Sequence, residues 1–121
     1  MVLSRLFGGT GGPASDAHTL SAADFKARYD AGDVAVVDVR TPGEYAGGHV
    51  AGAHLADMMA PDFDAQIDAL GLDPAQPVYL YCRSGNRSGK AAERLRARGF
   101  AQATNVGGFE ALTAAGLPVA R

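Results

Sequence analysis

The chain of 121 residues is predicted to be a single α/β domain with a mainly parallel sheet, on three observations. Short apolar runs of strand length alternate with segments of helical periodicity, the pattern of a parallel sheet covered by helices. Two of those runs, Val34-Ala-Val-Val-Asp38 and Pro77-Val-Tyr-Leu-Tyr81, are continuous rather than alternating, as strands buried on both faces are. Polar residues follow each of them, and in such sheets sites lie beyond the carboxyl ends of strands.

The elements follow in order. Ser21-Ala-Ala-Asp24 is a capping box with Asp in place of Glu, and Phe25, Arg28 and Tyr29 continue at helical spacing until Gly32. The run from Val34 to Asp38 is the first strand. Thr41-Pro42-Gly43 then begins a turn, and Pro42 suits the first position of a short helix through Tyr45. Gly47, Gly48 and Gly52 break the chain before a short strand over 53–56. A helix is expected over 61–70, with Phe63, Ile67 and Leu70 on one side. The run over 77–81 is a strand leading directly into Cys82.

Arg83-Ser-Gly-Asn86 is turn chemistry. From Arg87 an amphipathic helix turns Ala91, Ala92 and Leu95 inward and leaves Arg87, Lys90 and Arg94 on the other side, with Gly99 as its stop. A last strand is expected over 103–106, after which Gly107-Gly108 opens a final helix ending before Gly116 and Pro118. No internal repeat is visible. Phe25, Tyr45 and Phe100 are read as core residues.

Composition bounds the function. A chain of this length can bury a core without disulfides or metal. The single cysteine excludes an intramolecular disulfide and a cysteine-rich zinc site. Residues 1–17 hold one basic residue and a short apolar stretch before Gly8-Gly9-Thr10-Gly11-Gly12, too little for a signal peptide. They are read as a flexible Gly-rich leader, residues 18–121 as the folded domain, and the protein as a cytoplasmic monomer without nucleic-acid or membrane partners. Net charge is −2, but six of the eleven basic residues fall between positions 83 and 98 with Glu93 as the only acid among them. For Arg96 and Arg98 a solvated helix face is the simpler reading. Beside Cys82 the same charge would attract a small anion and favour a thiolate.

A lone cysteine is by default a small buried residue, yet the neighbours of Cys82 argue for chemistry. A strand leads into Cys82-Arg83-Ser84-Gly85-Asn86-Arg87-Ser88 and a helix follows. So short a turn can aim several backbone N–H groups at one point, and the helix adds its unpaired N–H groups and dipole. Arg83 and Arg87 could add full charges. Thiolate and anion cradle then coincide, which attack on an anionic sulfur or phosphorus substrate requires. Asp38, Arg40 and Glu44 follow the other buried strand. Arg40 is read as fixing that loop in preference to binding an anion, and Glu44 as a partner that orients Arg87. His49 is assigned a structural role and His18 none; two histidines five apart, His49 and His54, do not share a helix face.

Three ordered segments resemble the signatures of rhodanese domains: Asp38-Val-Arg40-Thr-Pro-Gly-Glu44-Tyr45-Ala-Gly-Gly48-His49-Val-Ala-Gly52-Ala53, then Tyr81-Cys82 through Ser88-Gly-Lys-Ala-Ala, then Asn105-Val-Gly107-Gly108-Phe109. The resemblance spans about positions 18 to 119. One departure is Leu112, where the family usually carries Trp, read as a change of packing. The resemblance implies a five-stranded mainly parallel sheet flanked by helices on both faces. It also implies that Cys82 takes sulfane sulfur from a donor such as thiosulfate, releases sulfite and holds a persulfide. That sulfur passes to cyanide, a thiol or a protein acceptor, with Arg83, Ser84, Gly85, Asn86, Arg87 and Ser88 around the substrate. No metal or organic cofactor is implied.

Two other readings share the fold. A phosphatase of the cell-cycle dual-specificity type, or an arsenate reductase, sets its Cys and Arg one residue further apart than Cys82 and Arg87, and usually has His where Tyr81 stands. A non-catalytic docking module often lacks the cysteine altogether.

Overall fold

The two continuous apolar runs of the sequence lie side by side at the centre of the molecule. The computed structural model describes residues 18–121, so the leader expected over 1–17 lies outside the described residues. In chain order the elements are α1 (Ala22–Ala31), β1 (Ala35–Asp38), α2 (Pro42–Ala46), β2 (His49–Val50), β3 (His54–Leu55), α3 (Phe63–Ala69), β4 (Val78–Cys82), α4 (Asn86–Ala97), β5 (Ala103–Gly108), α5 (Phe109–Ala114) and β6 (Val119–Ala120). The main sheet is parallel with order β3-β1-β4-β5, so the two buried runs are its central pair.

Because side chains alternate across a strand, β4 divides its residues between two cores. Val78, Leu80 and Cys82 face one cluster with Phe63 and Ile67 of α3 and Ala91, Ala92 and Leu95 of α4. Tyr79 and Tyr81 face the other, with Phe25 of α1, Val106, Leu112 of α5 and Leu117. Each fully buried large apolar side chain stabilises the fold by about 1.5–3 kcal/mol. Helices therefore cover both faces, as expected, and Leu112 is a wholly buried member of the second core.

The sheet departs from the five strands expected. Four described strands form it, and on its β5 edge the fifth position shrinks to a single parallel bridge between Thr19 and Asn105. A two-stranded antiparallel ribbon of β2 and β6, unforeseen from two-residue segments, ties His49 to Ala120 and Val50 to Val119. The last main strand continues through Gly107 and Gly108, so α5 opens at Phe109 and the glycines belong to the strand. Helix α3 is shorter than 61–70, although Phe63 and Ile67 are buried as its periodicity required. At α1 only Ser21 closes its half of the capping box, accepting from the Asp24 N–H at 3.1 Å. Thr41 and Glu44 form a reciprocal box at the start of α2, with Pro42 in its first turn. Among the described residues no helix is long and apolar enough to cross a membrane.

Candidate active site

The loop after β4 turns back so tightly that its own backbone surrounds the sulfur of Cys82. Gly85, at φ +97°, is the residue that permits this turn, and it ends one position before α4. The Gly85 N–H donates to Cys82 Sγ at 3.0 Å, and Ser88 Oγ lies 3.4 Å from the same atom. Cys82 and Ser88 are both completely buried. Burial pushes the thiol up, the largest single influence, but the Ser88 hydroxyl and the N–H groups of Ser88, Ser84 and Gly85 together hold it below its ordinary value. A sulfur surrounded by donors and kept from water is equipped to carry negative charge.

Arg87 does not lie over the sulfur as a free cation. Its Nη1 reaches Glu44 Oε1 at 2.9 Å and its Nη2 reaches Oε2 at 3.1 Å. The Arg87 bond, with the Thr41 N–H and hydroxyl, outweighs burial and lowers the Glu44 carboxyl to about 2. Arg87 is raised in turn, first by Glu44 and to a smaller extent by the charges of Cys82 and Asp57. The expected partnership of Glu44 with Arg87 is thus present, and it ties the loop to α2. Arg83 is exposed and makes no ion pair among the described residues. It borders a cleft of about 320 Å³ beside the loop, lined also by Arg40, Glu44, Phe109 and Glu110. Asn86 is exposed at the first position of α4.

On the opposite face of β4 lies a buried polar network. Arg40 Nε donates to both oxygens of Asp38, at 2.9 and 3.0 Å, and its Nη2 reaches Asp38 Oδ2 at 2.6 Å and the Gly48 carbonyl at 2.7 Å. The Tyr81 hydroxyl donates to Asp38 Oδ2 at 2.7 Å and accepts from the Val50 N–H at 2.9 Å. Burial raises the Tyr81 phenol far above its usual range, so it stays a neutral donor to the carboxylate. Arg40 is committed to these bonds and to the face of Phe109, 4.5 Å from the ring centre. Asp38 and Arg40 therefore brace the segment leading to α2, with the guanidinium paired to the carboxylate.

Some roles are visible only in three dimensions. Tyr45 is half-buried, not core: its ring stacks on His49 at 3.7 Å and its hydroxyl donates to the Ala53 carbonyl at 2.7 Å. His49 Nδ1 lies 2.9 Å from the Tyr45 carbonyl, a structural placement, and His54 is exposed. Asn105, quoted above only as part of a motif, joins three segments. Its Oδ1 accepts from Ser88 Oγ at 2.8 Å and the Gly107 N–H at 3.0 Å, while its Nδ2 donates to the Gly85 carbonyl at 3.1 Å. A Cβ at Gly108 would stand 2.5 Å from the Arg83 carbonyl oxygen, so glycine there lets β5 approach the loop. The nearness of two glycines to an Asn at a strand end was the available signal. Among the described residues no group of His, Cys, Asp and Glu could hold a metal ion.

The profile of the Rhodanese-like domain matches residues 21–115, most of the chain. The chain belongs to the rhodanese-like family. Its relatives include the uncharacterized protein YqhL of Bacillus subtilis, 36% identical over 96 residues that span 76% of this chain and 69% of that protein. A crystal structure of a rhodanese-like domain protein from Staphylococcus aureus superposes with a TM-score of 0.68 at 32% identity, covering 85% of this chain and 98% of the other. The human single-domain sulfurtransferase TSTD1 shares the fold at a TM-score of 0.68 and 23% identity, over 84% of this chain and 99% of its own. The rhodanese-like domain thus occupies the described chain from α1 to α5, with the Cys82 loop inside it.

Proposed function

We propose that this rhodanese-like domain is a sulfurtransferase that moves sulfane sulfur from an anionic donor such as thiosulfate to a thiophilic acceptor through a persulfide on Cys82. One observation carries the reading: donors of a six-residue ring, Cys82 to Arg87, and of Ser88 converge on a single buried sulfur. The Cys82 thiolate attacks the outer sulfur of thiosulfate. A new S–S bond forms, the S–S bond of the donor breaks, and sulfite leaves with its electron pair. An acceptor (cyanide, a low-mass thiolate or a protein thiolate) then attacks the outer sulfur of the persulfide, and the electron pair returns to Cys82.

Neither half needs a general base once the thiolate exists, which fits a loop offering donors to the sulfur. Ser84, Gly85 and Ser88 are assigned the stabilisation of charge on it. Arg83, which makes no ion pair among the described residues and borders the neighbouring cleft, is assigned the attraction of the anionic donor. Arg87 holds the shape of the ring, with Glu44 fixing it and the Asp38–Arg40 pair bracing the segment before it. The name of the human neighbour describes a protein of the same fold and gives the reading a precedent. A thiol that must return to its reduced form suits a reducing compartment, which favours the cytoplasm.

The tighter ring favours this reading over the phosphatase, since it closes on one sulfur and leaves less room for a tetrahedral oxyanion. Intact-protein mass spectrometry after incubation with thiosulfate is the test. A gain of one sulfur atom, lost on adding cyanide and absent from Cys82→Ser, is the expected result. A wild-type protein that gains no sulfur while cleaving an aryl phosphate would overturn it.

A further inference from the structure

The Ser88 hydroxyl has one proton and, among the described residues, two acceptors within reach. Asn105 Oδ1 is 2.8 Å away, the usual length of an O–H···O bond, and Cys82 Sγ is 3.4 Å away. The orientation of the Asn105 amide is fixed independently: its Nδ2 donates to the Gly85 carbonyl and its Oδ1 accepts from the Gly107 N–H, so oxygen and not nitrogen faces Ser88. Gly89 makes room for this arrangement, because a Cβ there would come within 3.3 Å of Asn105 Nδ2. Ser88 is sealed from water, so its proton has no solvent acceptor.

We propose that Asn105 is a positioning residue that competes with Cys82 Sγ for the Ser88 hydroxyl proton, making Ser88 a rotor that follows the charge on the sulfur. With the thiol neutral, the hydroxyl donates to Asn105. When the thiolate forms, the stronger acceptor draws the proton to sulfur, and Asn105 Oδ1 keeps its bond from Gly107. Once a persulfide forms, the charge moves to the outer sulfur and the hydroxyl returns to Asn105. The last of these states rests on the persulfide chemistry proposed above; the first two do not.

The competition is read from the pH dependence of Cys82 alkylation by iodoacetamide in the full-length protein. Ser88→Ala is compared with Ser88 on three backgrounds: wild type, Asn105→Ala and Asn105→Asp. The charges of Arg83 on the loop, of Arg87 on α4, and of Glu44 on α2 and Asp57 after β3, which face Arg87, are the same throughout, and comparison within each background cancels any loosening of the loop. Ser88→Ala should raise the alkylation midpoint most in Asn105→Ala, where the hydroxyl has no rival acceptor. It should raise it less in wild type, and least in Asn105→Asp, where a carboxylate holds the proton. Equal shifts on all backgrounds, or the reverse order, would overturn the proposal and leave Asn105 with a purely structural role. Should Asn105→Ala fail to fold by circular dichroism, the wild-type and Asn105→Asp pair carries the same ordering. Alkylation needs no sulfur donor, so an inert response to thiosulfate with the ordering intact would sink the proposed function and not this inference.

Discussion

Glu44 and Arg87 meet through two parallel hydrogen bonds, 2.9 and 3.1 Å long, that bind the start of α4 to α2 across 43 residues of chain. The pair is half-buried, with side-chain exposures of 28% for Glu44 and 26% for Arg87, so solvent still screens it. Such a pair stabilises a fold by about 1 kcal/mol or less, but it sets where the loop can be.

Glu44→Gln tests that clamp through acid unfolding. The Glu44 carboxyl lies at about 2 in the fold against an ordinary value of 4.5. A lowered carboxyl contributes stability that is complete above the unfolded value and is lost as pH falls through the folded one. Wild type should therefore be the more stable protein at neutral pH, and the gap should close between about 4.5 and 2. Urea midpoints across that range measure it. A gap that stays constant with pH would show that the carboxylate charge is not what Arg87 holds.

The reactivity of Cys82 should follow its donors more than its cations. Burial raises the thiol, and the Ser88 hydroxyl with the backbone N–H groups brings it down. The alkylation midpoint is expected below the free-thiol value of about 8.5, with the thiolate populated above it. Arg87 is already neutralised by Glu44, so Arg87→Ala should raise the midpoint less than Ser88→Ala does. Alkylation rates of the two variants against pH decide the order; the opposite order would return the leading role to Arg87.

How much of this was legible in the chain depended on how local each cause was. Continuous apolar runs located β1 and β4 because burial on both faces needs no partner information. Cys82 stood out for the same reason, at the end of one such run before a turn and a helix. The β2–β6 ribbon escaped notice because two-residue strands have no periodicity and depend on a pairing between residues about seventy apart. Gly107 and Gly108 read as a helix opening because glycines punctuate sequences, whereas here a close approach to Arg83 requires glycine at 108 and a φ of +96° favours it at 107, both within a strand. Glu44 could be matched to Arg87 by charge alone. The bonds from Asn105 to Gly85 and Ser88 could not, since an amide in a strand carries no sign of which side chain it will meet.

The network behind β4 should matter to stability more than to chemistry. Asp38 is fully buried and Arg40 nearly so. Asp38→Ala removes the carboxylate and strands the guanidinium, for which a loss of about 3–5 kcal/mol is expected. Tyr81→Phe leaves the ion pair but deprives the Val50 N–H of its acceptor, and about 1–3 kcal/mol is expected. Chemical denaturation of both variants measures the difference. If Asp38→Ala were no worse than Tyr81→Phe, the buried pair would not be the brace described here.

The final prediction turns on ring size. Cys82 and Arg87 are separated by four residues, and the Gly85 carbonyl at the apex is held by Asn105 Nδ2. One glycine inserted after Gly85 adds a peptide unit between that anchor and α4, so the helix start must move outward or the anchor must break. Either change carries the Ser88 N–H and hydroxyl away from the sulfur, because Ser88 lies on the helix side of the insertion. The single sulfur loses close donors, so the thiolate should form less readily and sulfur transfer should weaken. The wider ring offers one more N–H and space between donors, which suits a tetrahedral oxyanion better. Phosphate or arsenate should then protect Cys82 from alkylation at lower concentration than in wild type. Turnover of an aryl phosphate is not expected, since the loop supplies no acid to protonate a leaving group. Parallel measurements of thiosulfate-dependent sulfur loading and oxyanion protection check both halves. Undiminished loading in the insertion variant would show that ring size does not govern the choice of sulfur.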